Sequence, residues 1–167
     1  VEALNQPAAA IDFPDRAFAL YYLATANRAV GHQSLSQAIA RLDRYASRTP
    51  GGFAATVCVM LVDPASGELT YVTCGHPAPL IVDPAGTTRF LPLTGHRPLG
   101  AGASATPLTA TLGIGEVLVL YSDGLVENRH RDLTTGIRQL AAEAGGVPER
   151  RRHPRELCAR LAQLMTD

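Results

Sequence analysis

Residues 117–127 read VLVLYSDGLVE, an apolar run that ends in an aspartate followed directly by a glycine. The apolar residues 117–120 lack polar alternation, so they are predicted to form a central strand that is buried on both faces. Asp123 would then be held rigidly at a sheet edge, and Gly124 would leave room for a ligand or a hydrated ion near the backbone. A carboxylate is a hard oxygen donor of the kind that Mg²⁺ and Mn²⁺ prefer. Taken alone, however, the Asp-Gly pair favours a simple tight turn.

Shorter strands are predicted ahead of this segment. β-Branched and aromatic residues at 54–62 and 68–74 flank a turn at 63–67 (DPASG), which is typical of a β-hairpin. A second turn at 83–86 separates two more short strands, and a loop rich in proline and glycine follows them. The strands predicted beyond the hairpin are 80–82, 87–91, 108–112 and 116–121, and the loop is 92–107.

Helical patterns lie on both sides of these strands. Residues 15–30 are rich in Ala and Leu at helical spacing, and Ser34 with Gln37 predicts a capping box for a second helix that stops at Pro50. Gly31 would join these two helices as a pair. Two more helices are predicted at 133–144, broken by Gly145-Gly146, and at 154–165. Helices, then strands, then helices indicate an α+β fold, a layered α-β-β-α sandwich with antiparallel sheets.

The composition indicates one domain and argues against several classes of partner. The chain has 167 residues, enough for a single hydrophobic core, so residues 1–167 are assigned to one domain. Fifteen basic and fifteen acidic residues cancel, which argues against nucleic acid and anionic membranes as partners. No apolar run approaches the ~20 residues of a membrane span, and residues 1–20 lack a secretion signal, so a cytoplasmic protein is expected. The three cysteines are expected to be buried, reduced thiols.

Five sequence blocks precede YSDGLVE, and together they indicate a protein family more specifically than the Asp-Gly pair does. In chain order they are 53–56 (FAAT), 63–69 (DPASGEL), 75–80 (GHPAPL), 97–100 (RPLG) and 115–116 (GE). With these blocks the chain resembles the SpoIIE/RsbU branch of the type 2C-like (PPM) phosphatases. The resemblance is strongest over residues 34–144. Chance similarity of an unrelated α+β domain would require all of the ordered blocks to coincide.

The resemblance implies a protein serine/threonine phosphatase that acts on a small regulatory phosphoprotein, such as an anti-sigma-factor antagonist. Two Mn²⁺ or Mg²⁺ ions would activate a water and stabilise charge on the phosphoryl group, so no side-chain nucleophile is needed. Asp123 matches the metal-binding aspartate of the family, and Gly124 belongs to the same turn. The resemblance also implies a sensor domain elsewhere in the full-length protein, and it leaves a homodimer open.

The metal motifs that the family places before the first helix and before the final strand are not present intact. Asp12 is a candidate for a degenerate metal ligand, although a helix N-cap explains it at least as well, and Asp167 lies near the place of the last motif. One carboxylate cannot hold two hard cations. The domain is therefore expected to be incomplete at both ends, or to have lost its metals. The alternative function is a pseudophosphatase, a module that binds its partner without catalysis.

Other polar residues are weaker candidates. His76, between Gly75 and Pro77, is expected to shape its loop and to hydrogen-bond backbone rather than to take part in catalysis. The segment 129–131 (RHR) follows the Asp-Gly turn closely enough to contact phosphate, although a solvated surface is the simpler interpretation. The basic run 150–153 (RRRH) lacks interleaved aromatic residues and indicates an exposed linker rather than a nucleic-acid site.

Overall fold

The computed structural model describes residues 32–49, 52–102, 105–148 and 154–166. The helix predicted at 15–30 and its junction at Gly31 lie outside these residues. Within the described ranges, no helix is long and apolar enough to cross a membrane. In chain order the elements are α1 (His32–Ala46), β1 (Val57–Val62), β2 (Glu68–Cys74), β3 (Leu80–Val82), β4 (Thr88–Phe90), β5 (Leu108–Thr111), β6 (Val117–Val119), α2 (Asp123–Val126), α3 (Leu133–Gly146) and α4 (Pro154–Thr166).

The strands form two antiparallel sheets of three strands each, in the orders β1-β2-β5 and β4-β3-β6. The hairpin between β1 and β2 is confirmed, and the chemistry of its turn accounts for it. The Asp63 carboxylate accepts hydrogen bonds from the Ala65 N–H (3.0 Å) and the Ser66 hydroxyl (2.8 Å). Gly67 takes the positive φ of 71° that the return of the chain requires.

Alternate residues along the strands lie on opposite faces of each sheet and pack into different layers of the core. Between the two sheets lie buried side chains from both of them, including Tyr71 of β2 and Ile81 of β3. The opposite face of β2, with Val72, packs against α1, and the opposite face of β3 packs against α3 and α4. The order of layers is therefore helix, sheet, sheet, helices, and the predicted α-β-β-α sandwich with antiparallel sheets is confirmed.

Two helix boundaries differ from the predictions. α1 begins at His32, so Ser34 lies inside the helix and is not its cap. A serine and a glutamine three residues apart are also tolerated within a helix, and the pattern alone does not fix the first residue. α3 continues through Gly145 to Gly146. A Cβ on Gly145 would lie 2.5 Å from the Gly86 carbonyl oxygen, so this glycine allows α3 to approach the β3–β4 turn closely.

The predictions for β6 and for the cysteines were partly wrong. Among the described strands β6 lies at the edge of its sheet, not at the centre, so Val119 is buried whereas Val117 and Leu120 are only half-buried. Both faces of β6 nevertheless contact apolar clusters. Of the thiols, Cys74 is buried and Cys58 is half-buried, but Cys158 is exposed on α4. Burial raises the pKa of Cys58 and of Cys74 to about 11.

Candidate functional site

Asp123 lies just beyond β6, as the first residue of the single-turn helix α2. Its side chain is exposed, and one carboxylate oxygen, Oδ1, accepts a hydrogen bond from the Gly124 N–H at 2.8 Å. Within the described part of the chain the other carboxylate oxygen has no hydrogen-bonding partner. Asp123 therefore presents a free hard oxygen donor at the end of a strand whose two faces are packed.

Gly124 leaves the backbone beside Asp123 open. Among the described residues, a Cβ at this position would have only the Ser122 hydroxyl oxygen within 4 Å, at 3.9 Å. Gly124 is not among the glycines with positive φ, so the backbone conformation does not require a glycine here. The approach of a ligand or hydrated ion to this backbone stays a prediction, and the space around Gly124 agrees with it.

His76 joins the start of β1 to the segment that carries Asp123. The His76 Nδ1 atom lies 3.3 Å from the Thr56 hydroxyl oxygen. Burial lowers the pKa of His76, against smaller opposing effects of the Asp123 carboxylate and of the Tyr121 backbone. The bond to Thr56 agrees with the expectation that His76 shapes its loop, whereas its predicted bonding to backbone stays a prediction.

Three of the five sequence blocks that carry the family resemblance, 53–56, 75–80 and 97–100, contact one another in space. Ala54 N–H donates to the Leu99 carbonyl (2.9 Å), and Leu99 N–H donates to the Ala55 carbonyl (2.8 Å). Gly75 has a φ of 65°, and a Cβ there would lie 2.5 Å from Pro98 Cγ. These contacts fix how the loops at 53–56, 75–79 and 96–100 pack together.

Sequence reasoning missed Asp43, which holds one of these loops. Asp43 lies on the buried face of α1, and its carboxylate accepts a hydrogen bond from the Gly100 N–H at 2.8 Å. The signal was present in the helical pattern, because Asp43 follows Leu35 and Ile39 at four-residue intervals on the apolar face. A carboxylate in that position requires a buried partner.

Arg131 is half-buried and bonded within the protein, so the simpler interpretation of a solvated surface was wrong for this residue. Its guanidinium group donates to the backbone carbonyls of Leu125 and Val126 and to the side-chain oxygen of Gln139, each at 3.2 Å. The contact of this segment with phosphate stays a prediction. Arg129 and His130 are exposed and make no side-chain hydrogen bond within the described part of the chain.

Asp123 fits one ligand position of a divalent-metal site. The described residues contain no group of three or more His, Cys, Asp and Glu side chains that could surround a cation. Asp12 and Asp167, the other carboxylates singled out from the sequence, lie outside the described residues. The described residues alone therefore do not form the two-ion site that the resemblance implies.

An open surface cavity of about 510 Å³ lies on α1 and is separate from this site. It is lined by Arg41, Arg44, Tyr45, Arg48 and Thr49. None of the residues around Asp123 or His76 contributes to it, so we do not assign it to the same chemistry.

Two antiparallel sheets packed face to face, with helices on both outer faces, match the fold of PP2C-like phosphatase domains. The family model for Stage II sporulation protein E (SpoIIE) matches residues 17–167. The chain belongs to the SpoIIE family.

Two solved structures are similar to the chain. One contains the RsbU and RsbW domains of a Mycobacterium tuberculosis protein. It is 34% identical, with a TM-score of 0.72, over 78% of this chain and 37% of that one. The other is the phosphatase domain of the cell fate determinant SpoIIE from Bacillus subtilis, described as Mn presoaked. It is 14% identical, with a TM-score of 0.58, over 85% of this chain and 66% of that one. The chain thus spans less than two thirds of either.

Proposed function

We propose that this domain is a metal-dependent protein serine/threonine phosphatase that acts on a small regulatory phosphoprotein, such as an anti-sigma-factor antagonist. The observation that carries the proposal is the Asp123 carboxylate, which has a free oxygen beyond β6 in a chain of the SpoIIE family. The similar Bacillus subtilis structure, a phosphatase domain described as Mn presoaked, supports the reaction class and the choice of metal.

The reaction is the hydrolysis of a phosphate ester. Water forms a new bond to phosphorus, the bond from phosphorus to the serine or threonine oxygen breaks, and that oxygen takes up a proton. Mn²⁺ or Mg²⁺ ions, when bound, supply an acidified water and positive charge near the phosphoryl group. Asp123 would be one of their ligands. Further carboxylates must come from outside the described residues, and Asp12 and Asp167 are the candidates within this sequence.

The other residues at the site shape the surroundings of Asp123. Gly124 leaves the backbone open to a hydrated ion or a phosphate oxygen. The bond between His76 and Thr56 holds the loop at 75–79 against the start of β1.

A protein is the substrate that these observations favour. The net charge of the chain is zero, whereas a domain that binds nucleic acid usually has a net positive charge. The similar Mycobacterium tuberculosis structure contains an RsbW domain together with its RsbU domain, which supports a partner within a regulatory system. A cytoplasmic location, a homodimer and a sensor domain elsewhere in the full-length protein belong to the same proposal.

The proposal is tested by phosphate release from a phosphoserine peptide, with and without Mn²⁺, in the full-length protein that carries this domain. Asp123→Asn should lower the Mn²⁺-dependent rate by at least about 10²-fold, as expected for the loss of one charge-stabilising group. Glu127→Gln is the matched control, because Glu127 is an exposed carboxylate at the other end of α2. Mn²⁺-stimulated release that survives Asp123→Asn would overturn the assignment. Peptide binding without release in the unmodified protein would favour the pseudophosphatase instead.

A further inference from the structure

The helix that begins with Asp123 is too short to hold its own shape. α2 has only four residues, and its N-cap residue, Ser122, makes no side-chain capping bond. The backbone bonds that close its turn are Leu125 N–H to the Ser122 carbonyl (3.1 Å) and Glu127 N–H to the Asp123 carbonyl (2.7 Å). Because isolated helical turns are unstable in water, the orientation of α2 depends on the contacts made by its far end.

Arg131, which lies just before the N-cap residue of α3, makes those contacts. Its Nε and Nη2 atoms donate to the last carbonyls of α2, those of Val126 and Leu125, at 3.2 Å each. Its Nη1 atom donates to Gln139 on α3, also at 3.2 Å. A planar guanidinium group can make all three bonds at once because its donors point in fixed, different directions. Arg131 therefore ties the carboxyl end of α2 to α3.

Packing also restricts the position of the carboxyl end of α2. The Val126 side chain is fully buried in the cluster under α3 and α4. The backbone of α3 at Gly136 approaches the Val126 carbonyl so closely that a Cβ on this glycine would overlap it. The Val126 carbonyl thus contacts both the Arg131 guanidinium group and the α3 backbone. A shift at this end would move the four-residue helix as a unit, including Asp123 at its start.

We propose that Arg131 is a positioning residue that fixes the orientation of the Asp123 carboxylate through α2. The inference rests on the proposed metal role of Asp123 and adds how that ligand is held in place. Arg129 offers a matched comparison, since it carries the same charge two residues away but is exposed and has no side-chain bond within the described residues. If Arg131 acted only through its positive charge, removing the charge of Arg129 or of Arg131 would change Mn²⁺ binding by a similar amount.

The test compares Arg131→Gln, Arg131→Lys and Arg129→Gln in residues 1–167 by NMR. Two quantities are measured: the hydrogen-exchange rate of the Glu127 amide, which reports the turn of α2, and the dissociation constant of Mn²⁺ from broadening of the Gly124 amide signal. Broadening by a paramagnetic ion detects weak binding, so a single carboxylate ligand suffices. Thermal unfolding of each variant is recorded alongside.

Arg131→Gln should speed exchange at Glu127 and raise the Mn²⁺ dissociation constant roughly tenfold, the usual effect of losing a group that orients a metal ligand. Arg131→Lys should restore part of the affinity, because an ammonium group can reach a carbonyl but cannot bridge all three acceptors. Arg129→Gln should change neither quantity. Equal effects of the two glutamine variants, or no effect of Arg131→Gln, would overturn the inference. If Asp123→Asn leaves the broadening unchanged, the proposed metal role fails instead.

Discussion

The α3 backbone at Gly136 lies directly against the carbonyl group of Val126, at the contact between α3 and α2. Gly136 has no positive φ, so it is required for space and not for its backbone conformation. The contact places the end of the Asp123 helix against a rigid surface, and it explains why a residue with poor helix propensity is placed inside α3.

Gly136→Ala should lower the free energy of unfolding by about 1–3 kcal/mol or more, because the new methyl group would displace a backbone carbonyl. Gly146→Ala is the control in the same helix. No atom of the described residues lies within 4 Å of a Cβ at Gly146, so alanine should be neutral or should stabilise by up to about 1 kcal/mol. Urea denaturation of both variants checks the pair. Similar losses of stability in both would mean that helix propensity, and not the contact with Val126, decides the outcome.

Tyr121 carries a buried hydroxyl that has no hydrogen-bond partner within the described part of the chain. Burial raises the pKa of this phenol to about 12. Tyr121→Phe removes the unsatisfied group and keeps the ring, so it should raise the free energy of unfolding by about 1 kcal/mol. Thermal or urea denaturation measures the change. A loss of about 1 kcal/mol would instead indicate that the hydroxyl has a partner.

Asp132 caps the N-terminus of α3. Its carboxylate accepts bonds from the Thr135 N–H (3.0 Å) and the Thr135 hydroxyl (2.7 Å), which favour the charged form and lower the pKa of Asp132. Because the folded-state pKa is depressed, this stabilisation is present above the unfolded pKa of about 3.9 and is lost as the pH falls through the lower, folded value.

Asp132→Asn separates capping from titration, because asparagine also caps helices but carries no charge. The difference in unfolding free energy between the unmodified protein and this variant should be constant above about pH 5 and should shrink as the pH falls below about 4. Urea midpoints measured across this range provide the check. A difference that stays the same at pH 3 would show that the charge of Asp132 does not contribute.

The sheets could be predicted from sequence because their signals are local. The turn at Asp63 is formed by hydrogen bonds within the turn itself, and the apolar patterns on either side set the strand lengths. The position of β6 at a sheet edge could not be predicted in this way. It depends on which strands pair with β3, and that pairing is decided by contacts between residues distant in sequence.

The residues of the candidate site also differ in whether a local sequence pattern indicates their role. Asp123 itself could be identified, since an apolar strand followed by Asp-Gly is visible in the sequence. The helical pattern places Asp43 on the buried face of α1, but it does not identify the partner of Asp43, because Gly100 is 57 positions away in the sequence. For Arg131 the simpler interpretation from sequence was a solvated surface, whereas the fold directs its guanidinium group to the carbonyls of α2.

The central claim is that Asp123 is a metal ligand, and mapping Mn²⁺ broadening across all backbone amides of residues 1–167 tests it most directly. The strongest broadening should fall on residues 122–124, and Asp123→Asn should raise the Mn²⁺ dissociation constant there at least about tenfold. Glu127→Gln should leave it unchanged. Broadening centred on the turn carboxylates Asp63 or Asp83, or undiminished at residues 122–124 in Asp123→Asn, would contradict the claim.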